Sequence, residues 1–418
     1  MERFVIQGGV PLTGKVKVEG SKNAALPVMA ASLLIEGRCF FNNIPKLTDI
    51  EVMSKTLKEL GADVVDFDGK LSIDASSLYQ EEVSCKLARK LRASILVLGP
   101  LLARRGKVKV ALPGGCNIGS RPINLHIEGL TKMGSSIQVE DGYIRAKARS
   151  GLRGAEIYLN FPSVGATENL LLAASLAKGK TVIKNASLCP EVVDLCLFLK
   201  KAGVKIEGIG TKLLTITGVK EIRPTSYSII PDRIEAATLM IAAAITEGKI
   251  CIEGVQAEHL EAPITTLRKI GVQIKVDKDS IQVERLSKLK ATSVKTMPYP
   301  GFPTDLQPQI TSLLCLAEGK SRITETIFEN RFTHVSELKK MGAEIEQKGT
   351  SLLIKGVSFL KGNKVLASDI RGGAALTLAG LAARGCTEIL NIKHIDRGYF
   401  KFEEKLASLG AKIKREKS

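Results

Sequence analysis

The phrase Leu-Lys-Glu-Leu-Gly-Ala-Asp-Val at residues 57–64 decides the fold, because close variants of it return along the whole chain. Each copy is typical of the last turn of an amphipathic helix, a glycine and the start of an alternating strand, since glycine takes the left-handed conformation that ends many helices without strain. The copies lie about 70 residues apart, which is the signature of an internal repeat. The six copies occupy residues 57–64 (LKELGADV), 130–137 (LTKMGSSI), 199–206 (LKKAGVKI), 267–274 (LRKIGVQI), 338–345 (LKKMGAEI) and 406–413 (LASLGAKI).

A second phrase stands upstream of each copy of the first, and residues 33–41, LLIEGRCFF, are its first example. It ends an Ala- and Leu-rich segment, such as residues 24–34 or 233–245, which is apolar nearly all round and therefore predicts a buried helix. Every repeat is thus predicted to hold one buried helix, a strand, one amphipathic helix and another strand. The glycines of the second phrase are Gly37, Gly106, Gly179, Gly248, Gly319 and Gly385.

The length of the chain fits this repeat. Since domains commonly hold about 100 to 200 residues, 418 residues predict more than one core. The repeats split into two groups of three, which predicts two similar α/β domains, each with three apolar helices at its centre. A doubly wound sheet with coincidental glycine spacing is the alternative, but Gly208-Ile-Gly210 lacks the third glycine of a dinucleotide-binding fingerprint.

The composition is that of a globular protein, with 44% hydrophobic and 25% charged residues. No apolar run approaches the roughly 20 residues that a membrane-spanning helix needs. The first residues, MERFVIQGG, hold no apolar region long enough for a secretory signal, so we expect a cytoplasmic protein.

The charge of the chain predicts anionic small-molecule substrates. Lys and Arg total 61 against 43 Asp and Glu, a formal net charge of +18. Single-stranded nucleic-acid binders add aromatic stacking residues, but this chain has no Trp and only 4% aromatic residues, so we predict no nucleic-acid partner. Its eight cysteines form no C-x-x-C pair and its four histidines no H-E-x-x-H motif, so we predict neither a metal nor a cofactor.

Function is expected where the sequence departs from the repeat. Residues 112–122, LPGGCNIGSRP, predict an exposed loop that carries Cys116 and Arg121, with an ordinary surface hairpin as the alternative. In residues 20–25, GSKNAA, Ser21 or Asn23 could cap the first buried helix.

The N–H groups of that helix and the neighbouring Lys22 favour an anion, although a routine cap beside a solvated lysine is the alternative. Residues 302–306, FPTDL, place Asp305 just before an apolar helix, for capping or for catalysis. Residues 394–399, HIDRGY, place Arg397 beside a glycine. Arg92, Arg331 and Arg371 read singly as surface residues, but together such arginines can hold phosphate and carboxylate groups.

In these segments the whole chain resembles the UDP-N-acetylglucosamine enolpyruvyl transferase family. The resemblance implies an inside-out α/β barrel in two domains of three repeats each. The first domain would comprise residues 22–229 and the second residues 1–21 plus 230–418, with the active site in the cleft between them. The segments that carry the resemblance are residues 20–25 (GSKNAA), 112–122 (LPGGCNIGSRP), 162–167 (PSVGAT), 302–305 (FPTD), 329–332 (ENRF) and 394–399 (HIDRGY).

The family's reaction transfers the enolpyruvyl group of phosphoenolpyruvate to the 3′-hydroxyl of UDP-N-acetylglucosamine and releases phosphate, as the first committed step of peptidoglycan synthesis. The resemblance implies that Cys116 protonates C3 of the enol and is alkylated by fosfomycin. It also implies that Lys22, Arg121 and Arg397 bind phosphoenolpyruvate, and that Asp305 orients the attacking hydroxyl or accepts its proton.

The resemblance implies further contacts with the sugar nucleotide and a set of supporting residues. Three positions depart from the commoner residues of the family, namely Asn124, Phe161 and Cys189, and these bear on the nucleotide contacts. The implied nucleotide contacts are Asn23, Arg92, Arg121, Pro122, Ile123, Asn124, Leu125, Ser163, Val164, Gly165 and Ile327, and the supporting residues are Arg331, Asp369 and Arg371.

Three alternatives stay open at this point. A transferase like 5-enolpyruvylshikimate-3-phosphate synthase would share the architecture but lack the cysteine loop. A non-catalytic sugar-nucleotide-binding paralogue would keep the pocket without turnover, although this chain retains Cys116, Asp305 and Arg397. An RNA-end-processing protein would need a nucleophilic histidine and a nucleotide site that the sequence does not present.

Overall fold

The computed structural model describes residues 2–67, 69–114, 119 and 122–417. These residues fall into two compact units. The first unit holds the described residues of 1–19 and 231–418, together with Gly119, and the second holds those of 20–115 and 121–230. Cys116 and Arg121 lie outside the described residues.

The strands are mostly five residues long. In chain order they are β1 (Glu2–Gln7), β2 (Thr13–Lys17), β3 (Arg38–Asn42), β4 (Asp63–Phe67), β5 (Lys70–Asp74), β6 (Glu82–Val83), β7 (Lys107–Ala111), β8 (Ser136–Glu140), β9 (Tyr143–Lys147), β10 (Glu156–Tyr158), β11 (Lys180–Lys184), β12 (Lys205–Glu207), β13 (Leu213–Thr217), β14 (Ser226–Ser228), β15 (Lys249–Glu253), β16 (Gln273–Val276), β17 (Ser280–Glu284), β18 (Ser293–Lys295), β19 (Lys320–Thr324), β20 (Glu344–Lys348), β21 (Ser351–Lys355), β22 (Lys364–Leu366), β23 (Cys386–Leu390) and β24 (Lys412–Lys417).

The helices alternate between buried and amphipathic, apart from one extra short turn, α3. They are α1 (Lys22–Ala31), α2 (Thr48–Leu60), α3 (Cys85–Ala88), α4 (Leu98–Arg105), α5 (Asn124–Lys132), α6 (Val164–Ala174), α7 (Pro190–Lys201), α8 (Arg233–Ile245), α9 (Glu261–Ile270), α10 (Gln307–Leu314), α11 (Val335–Lys340), α12 (Ile370–Ala382) and α13 (Phe402–Ser408). Short 3₁₀ helices span Ser32–Leu34, Arg92–Val97, Ala257–Leu260, Thr304–Leu306 and Ile392–Arg397.

Each repeat forms one small sheet. Among the described residues there are six four-stranded sheets, and in each an edge strand pairs in parallel with its neighbour, which pairs antiparallel with a third strand, and the third pairs antiparallel with the fourth. Two strands per repeat were predicted and four are found, because neither an edge strand, such as β10, nor the second strand of the antiparallel pair, such as β5, was predicted separately. The sheets of the second unit are β14-β3-β5-β4, β6-β7-β9-β8 and β10-β11-β13-β12, and those of the first are β16-β17-β15-β2, β18-β19-β21-β20 and β22-β23-β1-β24.

In the first unit, the strands β1 and β2 come from the first 17 residues, whereas the other strands come from residues after 230. β1 pairs antiparallel with both β23 and β24, and β2 pairs in parallel with β15. The second unit closes in a related way, since β14 at its C-terminal end pairs with β3 near its start. Long-range pairing of this kind leaves no local trace in the sequence.

The predicted buried helices form the core of each unit. In the first unit α8, α10 and α12 contact one another, and every residue of α10 is buried. In the second unit α4 packs on α6, while α1 and α6 both pack on the 3₁₀ helix Arg92–Val97. An arrangement with apolar helices inside and small sheets around them confirms the predicted pattern.

The glycines of the first phrase end the amphipathic helices as predicted. Gly61 follows α2 with φ 107°, and a side chain there would also meet the Ser77 carbonyl oxygen at 2.7 Å. The second phrase behaves alike except at Gly248, where Glu247 takes the left-handed conformation instead with φ 55°. None of the helices in the described part of the chain is both long and apolar enough to cross a bilayer.

Candidate active site

Asp305 is the centre of a charged cluster in the first unit. It lies in the 3₁₀ helix Thr304–Leu306, which leads directly into α10. Arg331 Nη2 donates to Asp305 Oδ1 at 2.7 Å, and Arg371 donates to Oδ2 from Nη2 at 2.9 Å and from Nε at 3.2 Å. Both carboxylate oxygens are therefore engaged, while 28% of the side chain stays exposed.

Two arginines keep the Asp305 carboxyl ionised. Burial alone would raise its pKa, but the charges and hydrogen bonds of Arg371 and Arg331 outweigh that effect and hold the pKa far below its usual range. Asp305 is therefore a weak base and a strong hydrogen-bond acceptor at neutral and mildly acidic pH. Its side chain caps neither the 3₁₀ helix Thr304–Leu306 nor α10, so the capping alternative is wrong.

Arg331 and Arg371 are both buried. The prediction that each, judged singly, is a surface residue is therefore wrong. Arg331 is 3% exposed and Arg371 is 5% exposed. Asp369 caps α12, because its Oδ1 accepts from the N–H groups of Arg371 and Gly372 at 2.9 and 3.1 Å. Asp305, Arg331, Arg371 and Asp369 thus form one group of two anions and two cations.

His334 lies in this region, fully buried. Burial and Arg331 lower its pKa to about 4, although Asp369 opposes them. The imidazole is therefore neutral at neutral pH, and the cluster keeps its balance of charge.

Glu325 connects the 3₁₀ helix of Asp305 to the segment that holds Ile327, a role that was not predicted from the sequence. Its Oε2 accepts from the hydroxyl of Thr304, the residue before Asp305, at 2.9 Å. Its Oε1 accepts from the N–H of Ile327 at 2.8 Å and from the hydroxyl of Thr296 at 2.9 Å. Among the described residues, hydroxyl and backbone N–H groups donate to this buried glutamate, so Glu325 connects two backbone segments through contacts that only the folded chain makes.

Arg397 ends the 3₁₀ helix Ile392–Arg397 and is half-buried. The preceding residue, Asp396, is held by a bidentate pair, in which Arg415 donates from Nη2 at 2.6 Å and from Nη1 at 3.1 Å. Bidentate pairs of this kind fix direction as well as distance. The backbone that carries Arg397 is therefore anchored on the C-terminal strand β24.

Lys22 and Asn23 open α1 in the second unit. Ser21 caps this helix, as its hydroxyl accepts from the N–H of Ala24 at 3.3 Å. Lys22 Nζ donates to Asp49 Oδ2 at 3.0 Å, and the two side chains are only 8% and 5% exposed. The lysine is therefore not solvated, and Asp49, in the first turn of α2, is a partner that the sequence analysis missed.

Replacing Asp49 with asparagine is expected to destabilise the protein strongly. The change keeps the volume but removes the charge that neutralises a buried ammonium group, and breaking a buried pair commonly costs about 3–5 kcal/mol. Scanning calorimetry should show a clear fall in melting temperature. The matched variant Asp63→Asn, which breaks the exposed pair with Arg38, should melt like the wild type, and equal melting of all three proteins would contradict the prediction.

The buried His126 of the same unit lies close to Gly165 and is affected by the charge of Arg92. His126 Nδ1 lies 3.0 Å from Asn169 Nδ2, and a side chain at Gly165 would stand 3.5 Å from the His126 ring. Burial and the charge of Arg92 lower the pKa of His126 to about 4, so the ring is neutral. The sequence showed only a lone histidine here, because Asn169 and Arg92 lie far from it along the chain.

The other expected nucleotide contacts lie at the starts of α5 and α6, two helices that contact each other. Ser163 caps α6 through the N–H of Ala166 at 3.3 Å. α5 begins at Asn124 without a side-chain cap. Pro122 and Asn124 are exposed, and Ile123, Leu125, Val164 and Gly165 are half-buried.

The positions that depart from the family's commoner residues have different surroundings. Phe161 is 43% exposed beside Ser163, whereas Cys189 is buried at the start of α7. Within the ranges that the structure describes, no three His, Cys, Asp or Glu side chains gather as metal ligands would.

A family model, described as EPSP synthase (3-phosphoshikimate 1-carboxyvinyltransferase), matches residues 6–406. The chain belongs to this family. The EPSP synthase family match covers the first five repeats and most of the sixth, and it includes the Asp305 cluster and the Lys22 helix.

Known relatives agree with this assignment. UDP-N-acetylglucosamine 1-carboxyvinyltransferase 2 from Carboxydothermus hydrogenoformans is 50% identical over 417 residues, which is 99% of each chain. The crystal structure of the enolpyruvyl transferase NikO from Streptomyces tendae superimposes with a TM-score of 0.91 at 26% identity, covering 100% of this chain and 99% of that one. EPSP synthase from Acinetobacter baumannii gives a TM-score of 0.79 at 19% identity with full coverage of both chains, which supports the fold alone. The chain therefore has the enolpyruvyl transferase fold that its sequence predicted.

Proposed function

We propose that this protein transfers the enolpyruvyl group of phosphoenolpyruvate to the 3′-hydroxyl of UDP-N-acetylglucosamine, with release of phosphate. The observation that carries the proposal is 50% identity along 99% of a relative named for that carboxyvinyl transfer. A sister activity on shikimate 3-phosphate is less well supported, because the EPSP synthase structures share only 19% identity. We place the reaction in the cytoplasm, as the first committed step of peptidoglycan synthesis.

The reaction proceeds by addition and then elimination. A proton is added to C3 of phosphoenolpyruvate while the 3′-oxygen forms a bond to C2, which gives a tetrahedral intermediate. Loss of a proton from C3 and of phosphate from C2 then restores the double bond. One proton enters and one leaves C3, so the sugar ends as an enolpyruvyl ether and the hydroxyl proton ends on the released phosphate.

We assign the proton at C3 to Cys116 and the binding of phosphoenolpyruvate to Lys22, Arg121 and Arg397. A general acid is most effective when its pKa lies near the working pH, and neighbouring cations bring the pKa of a thiol toward that range. Cations around a multiply charged anion contribute about 4 kcal/mol per charge pair at 4 Å and an effective dielectric near 20. Fixed lysine and arginine side chains therefore supply the charge neutralisation that this step needs.

We assign to Asp305 the orientation of the 3′-hydroxyl, with proton transfer only late in the addition. Its pKa lies far below the usual range, so it cannot take a proton from a neutral hydroxyl to any useful extent. Once the new carbon–oxygen bond forms, the oxygen becomes cationic and strongly acidic, and even a weak base then accepts its proton. The low pKa therefore suits an acceptor that holds the hydroxyl in line and receives the proton last.

The proposal assigns the remaining expected residues to two groups, the contacts with the sugar nucleotide and the residues that support Asp305 and α12. Gly165 and the charge of Arg92 lie near His126, and these two residues would contact the sugar nucleotide together with Ser163 and Asn23. Ile327 would contribute from the segment tied to Glu325. Arg331, Arg371 and Asp369 would act through Asp305 or the helix that Asp369 caps.

Acceptor specificity tests the proposal directly. Phosphate release from phosphoenolpyruvate should occur with UDP-N-acetylglucosamine and not with shikimate 3-phosphate, and the sugar nucleotide should gain one enolpyruvyl group by mass spectrometry. Phosphate release with shikimate 3-phosphate and not with UDP-N-acetylglucosamine would show the sister activity instead. Binding of UDP-N-acetylglucosamine without phosphate release from either mixture would favour the non-catalytic paralogue.

A further inference from the structure

The hydroxyl of Tyr399 lies in the interior of the first unit, where side chains from two core helices hold it. Tyr399 is 1% exposed. Thr238 Oγ1 on α8 lies 3.0 Å from the hydroxyl oxygen, and Gln309 Nε2 on α10 lies 3.1 Å from it. Tyr399 is the last residue of the segment HIDRGY at 394–399, in which only Arg397 was assigned a role.

The partners of this hydroxyl fix the position of its proton. Thr238 donates its own proton to the Ile234 carbonyl oxygen at 2.7 Å, so its oxygen is left to accept. Gln309 Nε2 donates to both the Thr238 oxygen, at 3.2 Å, and the Tyr399 oxygen. Tyr399 therefore donates to Thr238 and accepts from Gln309, and burial raises the pKa of the hydroxyl so that it keeps its proton. Because the Tyr399 hydroxyl both donates and accepts a hydrogen bond, these two partners fix the orientation of the side chain.

The ring of Tyr399 supports the arginine that clamps Asp305. The guanidinium carbon of Arg371 stands 5.3 Å from the centre of the ring, within the range of a cation–π contact. The same guanidinium gives two of its N–H groups to Asp305 Oδ2. The position of the ring therefore limits where the guanidinium can lie relative to the carboxylate.

The backbone beside Tyr399 carries Arg397. Gly398 lies between the two and packs so closely on α12 that a side chain there would meet Ile370 Cγ2 at 2.5 Å. A shift of the tyrosine ring would consequently be transmitted to the backbone of Arg397 and to the first turn of α12. One buried hydroxyl is thus connected to two residues of the proposed chemistry.

We propose that Tyr399 is a positioning residue, which holds Arg371 against Asp305 and fixes the backbone that carries Arg397. The catalytic part of this inference rests on the proposed function. Tyr399 itself touches neither substrate in this scheme, so its loss should lower kcat and leave the KM values for both substrates within about 3-fold. A residue needed for packing alone would lower stability and leave kcat unchanged.

A double-mutant cycle with Arg371 separates the two roles. Tyr399→Phe keeps the ring and removes the hydroxyl, and we expect kcat to fall about 10-fold, because small misplacements near the chemistry are costly. Arg371→Lys removes the two-point contact with Asp305, and we expect a loss of about 100-fold. Adding Tyr399→Phe to Arg371→Lys should change kcat by less than about 2-fold, since both changes act on the same contact. Multiplicative losses, or an unchanged kcat in the single variant, would overturn the proposal.

Tyr227→Phe is the matched control for lost hydrogen bonds. Its hydroxyl lies 2.7 Å from Asp194 Oδ1 in the second unit, so its removal should lower the melting temperature without a change in kcat.

A crystal structure of Tyr399→Phe adds a readout that needs no turnover. Contacts from Arg371 to Asp305 that stay at 2.9 and 3.2 Å would refute the positioning role, and lengthened contacts would support it. If the wild-type protein released no phosphate, the proposed function would be contradicted. The positioning role of Tyr399 would still be tested, because the crystal structure of Tyr399→Phe shows whether Arg371 keeps its contacts with Asp305.

Discussion

Replacing Asp305 with alanine is expected to lower kcat by about 10³-fold while UDP-N-acetylglucosamine still binds. The variant removes the acceptor that orients the attacking hydroxyl, and it leaves Arg331 and Arg371 without the carboxylate that both now contact. Single-turnover phosphate release measures the chemical step, and calorimetry measures binding of the sugar nucleotide. A kcat within about 10-fold of the wild type would remove Asp305 from the proposed chemistry.

Two further variants separate chemistry from stability at this position. Asp305→Asn keeps an acceptor oxygen but not the charge, so it should lose about 10²-fold, less than the alanine variant. Glu235→Ala breaks another buried pair of the same unit, in which Lys405 lies 2.7 Å from a glutamate that is 4% exposed. This control should lose stability as Asp305→Ala does, because each removes the carboxylate nearest to a buried cation, and it should keep its turnover.

Replacing Cys116 with alanine is expected to abolish turnover, with a loss of about 10²- to 10⁴-fold for a missing general acid. UDP-N-acetylglucosamine should still bind, because this residue is assigned chemistry and not affinity. Cys116→Asp restores an acidic group at the position and should recover part of the activity. Full activity in the alanine variant would end the assignment of the proton donor.

Alkylation gives a second readout for the same thiol. If Cys116 is the reactive cysteine of the family, fosfomycin should add to it by opening of its epoxide ring. Mass spectrometry of the peptide that spans residues 112–122 should then show the adduct. Cys386, which is an exposed free thiol, serves as the internal control and should stay unmodified.

The repeat could be predicted because each of its parts is local. The phrase that ends in Gly61 encodes a helix, a left-handed residue and a strand within a few positions, and the structure has all three. The pairing of β1 with β24 could not be predicted, since it joins residues at opposite ends of the sequence, such as Glu2 and Lys417. The strand β10 has only three residues, too few to show an alternating pattern. It is a strand because it pairs with β11, and that pairing is not visible in its own sequence.

The members of the Asp305 cluster could be singled out in the sequence one by one, but their arrangement could not be predicted. Asp305 and Arg371 were both singled out, yet nothing in their spacing showed that two guanidinium N–H groups of Arg371 point at one oxygen of Asp305. Asp49, Glu325 and Tyr399 were missed as partners because each acts through a contact made by folding. Their burial and their hydrogen bonds, which single them out in the structure, have no counterpart in the sequence of one chain.

The discontinuity of the first unit sets an order for folding during synthesis. The second unit is complete once β14 has left the ribosome, and it can fold while the rest of the chain is still being made. β1, in contrast, emerges first and has to wait for β23 and β24, nearly the whole translation time, or about 20–80 s at 5–20 residues per second. Throughout that interval an apolar strand with Phe4 and Ile6 on one face has no partner in its own sheet, so this segment is where we expect chaperones to engage the nascent chain.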